Sequence, residues 1–184
     1  MKINLMKINL DQWIITKTQP YSTIVEFGCG LGLRLRILPK NKLRIGIDAS
    51  PKYLDANHMD YDKVCGDMRE YRDLLEPEIL ERDNKCAMFI DSIEHITEED
   101  AFKLVEQMKE DFECIIFMIP EGNHPQDKDL LGYGEHSLQT HRSTWDKDLV
   151  TKLGVDEILI DPTFHANTEG KDSGCIFAVW TKDE

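Results

Sequence analysis

The sequence predicts an α/β fold: a doubly wound, seven-stranded, mostly parallel sheet closed by a C-terminal antiparallel hairpin. Three observations predict it. Short apolar runs alternate with helical segments between residues 23 and 119, the pattern of a parallel sheet covered on both faces. The first run, Thr23-Ile24-Val25-Glu26-Phe27, opens into a glycine-rich turn, Gly28-Cys29-Gly30-Leu31-Gly32. Near the C-terminus two apolar runs flank a polar loop with no room for a helix, so they pair as a hairpin.

Taken in order, residues 10–17 predict a first helix, with Leu10, Trp13 and Ile14 on one side. Strands are expected at 23–27, 43–48, 63–66, 86–91 and 114–119, and helices at 31–38, 51–58, 69–80 and 98–111. Pro51 after Ser50 and Thr97 before Glu98-Glu99-Asp100 mark capped helix starts. A last helix is expected at 145–153, ended by Gly154, with hairpin strands at 155–160 and 175–181 around a loop at 165–174. The whole reads as one domain, 1–184. Residues 1–19 form an N-terminal extension, 20–119 a ligand-binding half, and 120–184 a long loop with the terminal hairpin. The chain starts Met1-Lys2-Ile3-Asn4-Leu5 and repeats this as Met6-Lys7-Ile8-Asn9-Leu10. Five residues are too few for a structural repeat, and an alternative start at Met6 is the simplest reading.

With 184 residues and a net charge of −13, the surface repels phosphate backbones, which argues against a nucleic-acid partner. Lys40, Lys42 and Arg44 form a small basic cluster that reads as a solvated loop. No apolar run has membrane-spanning length, and no signal-peptide pattern opens the chain. Five cysteines, without close pairing, read as small buried hydrophobes in a reducing cytoplasm.

The glycine turn lets a ligand approach the backbone at the carboxyl end of a strand, where no Cβ stands in the way. That implies a nucleoside-containing cofactor. Asp48 ends the second strand, Asp67 follows the third and Asp91 ends the fourth. Such carboxylates can accept from a ribose diol or an exocyclic amine and suit a cation nearby. Each also has a plainer role: Asp48 and Asp67 as helix caps, Glu26 as acceptor for turn amides, Cys29 as packing.

Together, Glu26-Phe27-Gly28-Cys29-Gly30-Leu31-Gly32, Ile45-Gly46-Ile47-Asp48, Cys65-Gly66-Asp67-Met68 and Phe89-Ile90-Asp91-Ser92-Ile93-Glu94-His95 resemble the motifs of the class I S-adenosylmethionine-dependent methyltransferases, over residues 20–181. The resemblance implies a Rossmann-like fold and S-adenosyl-L-methionine as cofactor. It implies that Glu26, Gly28, Cys29, Gly30 and Gly32 pack against the methionyl and ribose parts. Asp48, with Ala49 beside it, would bind the ribose hydroxyls, and Asp67 with Met68 the adenine. Asp91 and Ser92 would line the pocket near the sulfonium. A nicotinamide-dependent oxidoreductase is the rival on the glycines, but its Gly-x-Gly-x-x-Gly would need glycine where Leu33 stands.

For the acceptor, a hydroxyl must lose a proton and an amine must be presented neutral. Candidate catalytic residues are Glu94, His95, His136 and His141, with His124 a further candidate base. The loop 120–142 holds Gly122, Gly132, Gly134 and three of these histidines, and reads as an acceptor-side lid. The expected activity is methyl transfer to a hydroxyl or amine of a small-molecule or glycan-like acceptor, with a homo-oligomer or partner chain as a further option. Alternatives are a cofactor-binding, non-catalytic partner subunit and an enzyme like the metal-dependent RNA 2′-O-methyltransferases. The latter carry Glu-x-x-Glu-His and a later His; here Asp91, Glu94, His95 and His141 would be the metal candidates, with Asp in the first place. A divalent metal on these residues is the less favoured reading.

Overall fold

The computed structural model describes residues 4–5, 7–129, 131–166 and 172–182. Strand β1 (Asn4–Leu5) and helix α1 (Leu10–Thr18) precede β2 (Thr23–Phe27), β3 (Leu43–Asp48), α2 (Pro51–Ala56) and β4 (Asp62–Cys65). Then come α3 (Tyr71–Leu74), α4 (Pro77–Leu80), β5 (Lys85–Ile90), α5 (Glu98–Asp111) and β6 (Cys114–Pro120). Helices α6 (His136–Gln139) and α7 (Lys147–Lys152) lead into β7 (Glu157–Ala166) and β8 (Asp172–Thr181).

The strands form one sheet in the order β1-β7-β8-β6-β5-β2-β3-β4. Only β8 runs antiparallel to its neighbours, β6 and β7. The seven expected strands are present. The eighth, β1, comes from the first copy of the N-terminal repeat and pairs with Leu159 and Ile160. The second copy does different work: the Ile8 amide donates to Asp161 Oδ2 at 2.8 Å, and Asn9 caps α1.

Strands β5 and β6 are buried at every position. Side chains alternate between two cores, as the strand period of two requires. Phe27, Phe89 and Phe117 face one core; Ile24, Met88 and Ile116 face the other. The three phenylalanines are in register across β2, β5 and β6 and stack at 5.1 and 5.5 Å. Each such pair adds about 0.5–1.5 kcal/mol beyond burial. They sit just before Gly28, Ile90 and Met118, so they fix the strand ends from which the site is built.

Helix α5 has the expected bounds: Thr97 Oγ1 accepts the Asp100 amide, and Ala101, Leu104, Val105 and Met108 bury one stripe. The segment expected as a helix at 31–38 is not one. Only a 3-10 turn, Leu35–Ile37, forms there. Gly28, Gly30 and Gly32 all hold positive φ, and Leu38 is extended ahead of Pro39, so too few residues remain for an α-helix. The helix expected at 69–80 is broken into a 3-10 turn (Met68–Glu70), α3 and α4, because Leu75 is extended and Pro77 restarts the chain. The last helix begins at Lys147, capped by Asp146, while Trp145 bridges to Glu121 and Gly122. The hairpin strands run longer than expected, and residues 167–171 of the expected polar loop lie outside the described ones.

Cys29, Cys86, Cys114 and Cys175 are buried; Cys65, on edge strand β4, is exposed. No described helix is long and apolar enough to cross a membrane.

Candidate active site

Strand β2 lies between β3 and β5, where the chain order reverses direction across the sheet. A crevice opens at the carboxyl ends of the strands at such a point. Two cavities occupy it. The first, about 360 Å³, is lined by Gly28, Gly30, Asp48, Ala49, Tyr53, Asp67, Met68, Asp91 and Ser92 on the sheet side. Leu131, Ser137, Leu138, Gln139 and Arg142 of the long loop line it from the other side. The second, about 720 Å³, is lined by Glu26, Cys29, Leu33, Arg34, Glu94, His124, His141 and His165. Gly28, Asp91, His95, Leu131 and Gln139 line both, so they form the seam between them.

The glycine turn is shaped by its contacts. At Gly28, φ is +73°, and a Cβ there would stand 2.6 Å from the Ser92 Cβ. Asp48 braces the turn: Oδ2 accepts the Gly30 amide at 2.7 Å and Oδ1 the Ser50 amide at 2.8 Å. Burial raises the Asp48 pKa, and these two amides oppose the rise. The cap of α2 is Ser50 rather than Asp48. Asp67 does cap the turn that follows it, accepting the Arg69 amide at 2.9 Å, and it pairs with the Arg69 guanidinium. That pairing holds its carboxyl below the usual range. Glu26 is buried, Oε2 has no hydrogen-bond partner, and burial raises its pKa to about 8. Glu26 and Cys29 therefore face the second cavity, whereas Gly28, Gly30, Asp48, Ala49, Asp67, Met68 and Ser92 face the first. Gly32 lines neither; a Cβ there would collide with Tyr61 and Asn57.

The acceptor-side cluster is built by backbone pairing. The Glu94 carbonyl accepts the Arg142 amide at 2.8 Å and the Ser143 amide at 3.2 Å. This ties the end of the long loop to the turn after β5 and brings His141 against Glu94. Donor atoms of Glu94, His95 and His141 all lie within 4.8 Å of one another. Both Glu94 carboxylate oxygens are buried without a hydrogen-bond partner. Burial, then the nearby Asp91, pushes the Glu94 pKa well up. Burial lowers His95 to about 4, with His141 adding to the effect, and burial also lowers His141. Two imidazoles therefore face a carboxyl that has no hydrogen-bond partner among the described residues, with His141 Nε2 at 3.9 Å from Glu94 Oε1. His95 Nδ1 lies 3.4 Å from the Thr140 carbonyl, a contact that helps orient the ring. This donor set, a buried carboxylate with two imidazoles, fits a divalent cation.

Asp91, a fourth metal candidate from the sequence, is not in this converging set, although it lies close enough to influence all three residues. Its φ is +49°, and Oδ1 faces His165 Nε2 at 3.3 Å. His136 lies away from both cavities; its Nδ1 accepts the Asp129 amide at 3.0 Å within the lid. Sequence reasoning did not single out Tyr53, Arg69, Leu131 or His165. Only the first carries a sequence signal, two places into the helix capped by Ser50.

No protein-family model and no curated protein matches the sequence. Solved structures do. An S-adenosylmethionine-dependent methyltransferase from Archaeoglobus fulgidus superposes with a TM-score of 0.62 at 13% identity, covering 92% of each chain. The fold is that of the class I S-adenosylmethionine-dependent methyltransferases. Two other solved structures also match. The N-terminal domain of EvdMO1, determined with S-adenosylhomocysteine and D-fucose, gives a TM-score of 0.63 at 14% identity, over 95% of this chain and 82% of that one. The small RNA methyltransferase HEN1 gives 0.59 at 18% identity over 95% of this chain. The present chain spans 25% of the length of HEN1.

Proposed function

We propose that the protein is an S-adenosylmethionine-dependent O-methyltransferase that acts on a sugar-ring hydroxyl flanked by a second hydroxyl, with a divalent cation on Glu94, His95 and His141. The observation that carries this reading is the buried Glu94 carboxyl, without a hydrogen-bond partner among the described residues and facing His95 and His141 in the lining of the second cavity. A vicinal diol can chelate a cation, and D-fucose and the terminal ribose of an RNA both offer one. The −13 charge favours an uncharged sugar over a nucleic-acid strand.

When bound, the donor supplies an electrophilic methyl on a sulfonium, and the cation supplies a Lewis acid for the acceptor oxygen. The chain does the rest. Asp48, held by the Gly30 and Ser50 amides, keeps lone pairs for the ribose hydroxyls. Met68 and Arg69 flank the adenine end, and Leu131 and Leu138 exclude water from above. Gly28 leaves room for the donor beside Ser92. The seam residues Asp91 and His95 set the line along which acceptor and methyl meet, and such positioning accounts for much of the rate. The free thiols fit a reducing cytoplasm.

The test uses chelator-treated protein. Calorimetry should find one manganese site that is lost in Glu94→Gln and His141→Ala, and micromolar S-adenosylhomocysteine binding that survives both. Methyl transfer to D-fucose, methyl riboside or an RNA oligonucleotide with a free 3′ diol should need the metal. Undiminished transfer in excess chelator sinks the metal assignment; absence of S-adenosylhomocysteine binding sinks the whole reading.

A further inference from the structure

Two backbone irregularities aim side chains at the seam between the cavities. At the end of β5, Asp91 adopts a left-handed φ of +49°. A non-glycine residue held there costs about 1 kcal/mol or more and recurs where function demands it. In β7 the pairing with β8 shifts register between Asp161 and His165. Such a bulge re-aims a side chain, and bulges are over-represented beside active sites. The two distortions converge: Asp91 Oδ1 and His165 Nε2 lie 3.3 Å apart. Asp91 lines both cavities and His165 the second. Neither belongs to the converging set of Glu94, His95 and His141.

We propose that Asp91 and His165 form a second functional pair in this site, which binds the acceptor hydroxyl and takes its proton. This deepens the methyltransferase reading and rests on it. The acceptor O–H bond breaks and the proton passes to the His165 ring, whose Nε2–H donates to the Asp91 carboxylate; that carboxylate holds the resulting imidazolium. The oxygen forms the new C–O bond as the methyl C–S bond breaks, and that electron pair stays on sulfur as S-adenosylhomocysteine. The proton leaves His165 for solvent. Groups that face the pair include His124, whose ring centroid is 6.2 Å from that of His165, together with His95, His141, Glu94 and Cys175. The proposal divides the tasks between neighbouring sets: Glu94, His95 and His141 hold a cation, and Asp91 with His165 moves a proton.

The experiment uses the full chain with manganese and whichever diol probe (D-fucose, methyl riboside or 3′-diol RNA) it methylates. His165→Gln and His165→Gly should lower kcat at least 100-fold, while S-adenosylhomocysteine and manganese affinities stay within twofold. Added imidazole should restore part of the His165→Gly rate and none of the His165→Gln rate. A structural role moves neither readout in this way. Unchanged kcat in His165→Gln, or loss of S-adenosylhomocysteine binding in both variants, overturns the proposal. Where the wild type methylates no probe, the methyltransferase reading is what fails. The pair is then decided by ¹⁵N NMR of the His165 ring in the S-adenosylhomocysteine complex. Resonances that move in Asp91→Asn support the pair, and resonances that stay overturn it.

Discussion

Glu26 is wholly buried, with one oxygen unbonded and its pKa raised from 4.5 to about 8. Between those values the native protein holds a proton that the unfolded chain has lost. Stability therefore falls as pH rises through that window, by at most about 1.4 kcal/mol per unit. Glu26→Gln should remove this slope, so its melting temperature overtakes that of the wild type towards pH ~8. Melting curves at about pH 5, 6.5 and 8 check this, and parallel curves would refute it. Asp48 carries a different load, because it joins the glycine turn to α2 through two amides. Asp48→Ala should weaken S-adenosylhomocysteine binding by more than about tenfold, or ~1.4 kcal/mol, in a calorimetric titration. Unchanged affinity would remove the ribose assignment.

At the scale of elements, the turn after β2 and the lid set the cofactor cavity. Gly28→Ala adds a Cβ 2.6 Å from the Ser92 Cβ at a φ of +73°. It should cost about 1–2 kcal/mol from backbone strain alone, with S-adenosylhomocysteine affinity falling as the turn shifts. Ser92→Gly in the same chain should recover only the part due to the clash. The lid is latched by Tyr53, whose hydroxyl donates to Asp129 Oδ1 at 2.6 Å, while Asp129 also accepts the Leu131 and Glu135 amides. Tyr53→Phe removes one charge-assisted bond, about 1.5–3 kcal/mol, so S-adenosylhomocysteine should dissociate faster and protease should cut more readily within 121–142. Elements with local signals were legible in the sequence. Helix α5 was, through Thr97, three following acids and a full apolar stripe. The segment after Gly32 was not, because its apolar spacing mimics a helix while the φ values of three glycines forbid one. Glu94 and His95 were visible as neighbours, but their partnership with His141 depends on amides 142 and 143 pairing with the Glu94 carbonyl. His165 was invisible for a related reason: it fell in an expected polar loop, and the bulge that turns it towards Asp91 arises from strand pairing.

For the whole molecule, the net charge decides which acceptors approach easily. A polyanionic acceptor should be repelled at low ionic strength, so its KM falls as salt rises from about 20 to about 150 mM. A neutral sugar should show no such trend. Initial rates with D-fucose and with the RNA oligonucleotide separate the two, and a KM for RNA that rises with salt would point to a local basic path instead. The sheet edge offers something of another kind. Of five thiols only Cys65 is exposed, one residue before Gly66, which lines the cofactor cavity together with Asp67. The protein thus carries a single accessible attachment point for a maleimide fluorophore next to the rim of that cavity. A dye placed there would report ligand arrival by its change in emission, without any engineered cysteine.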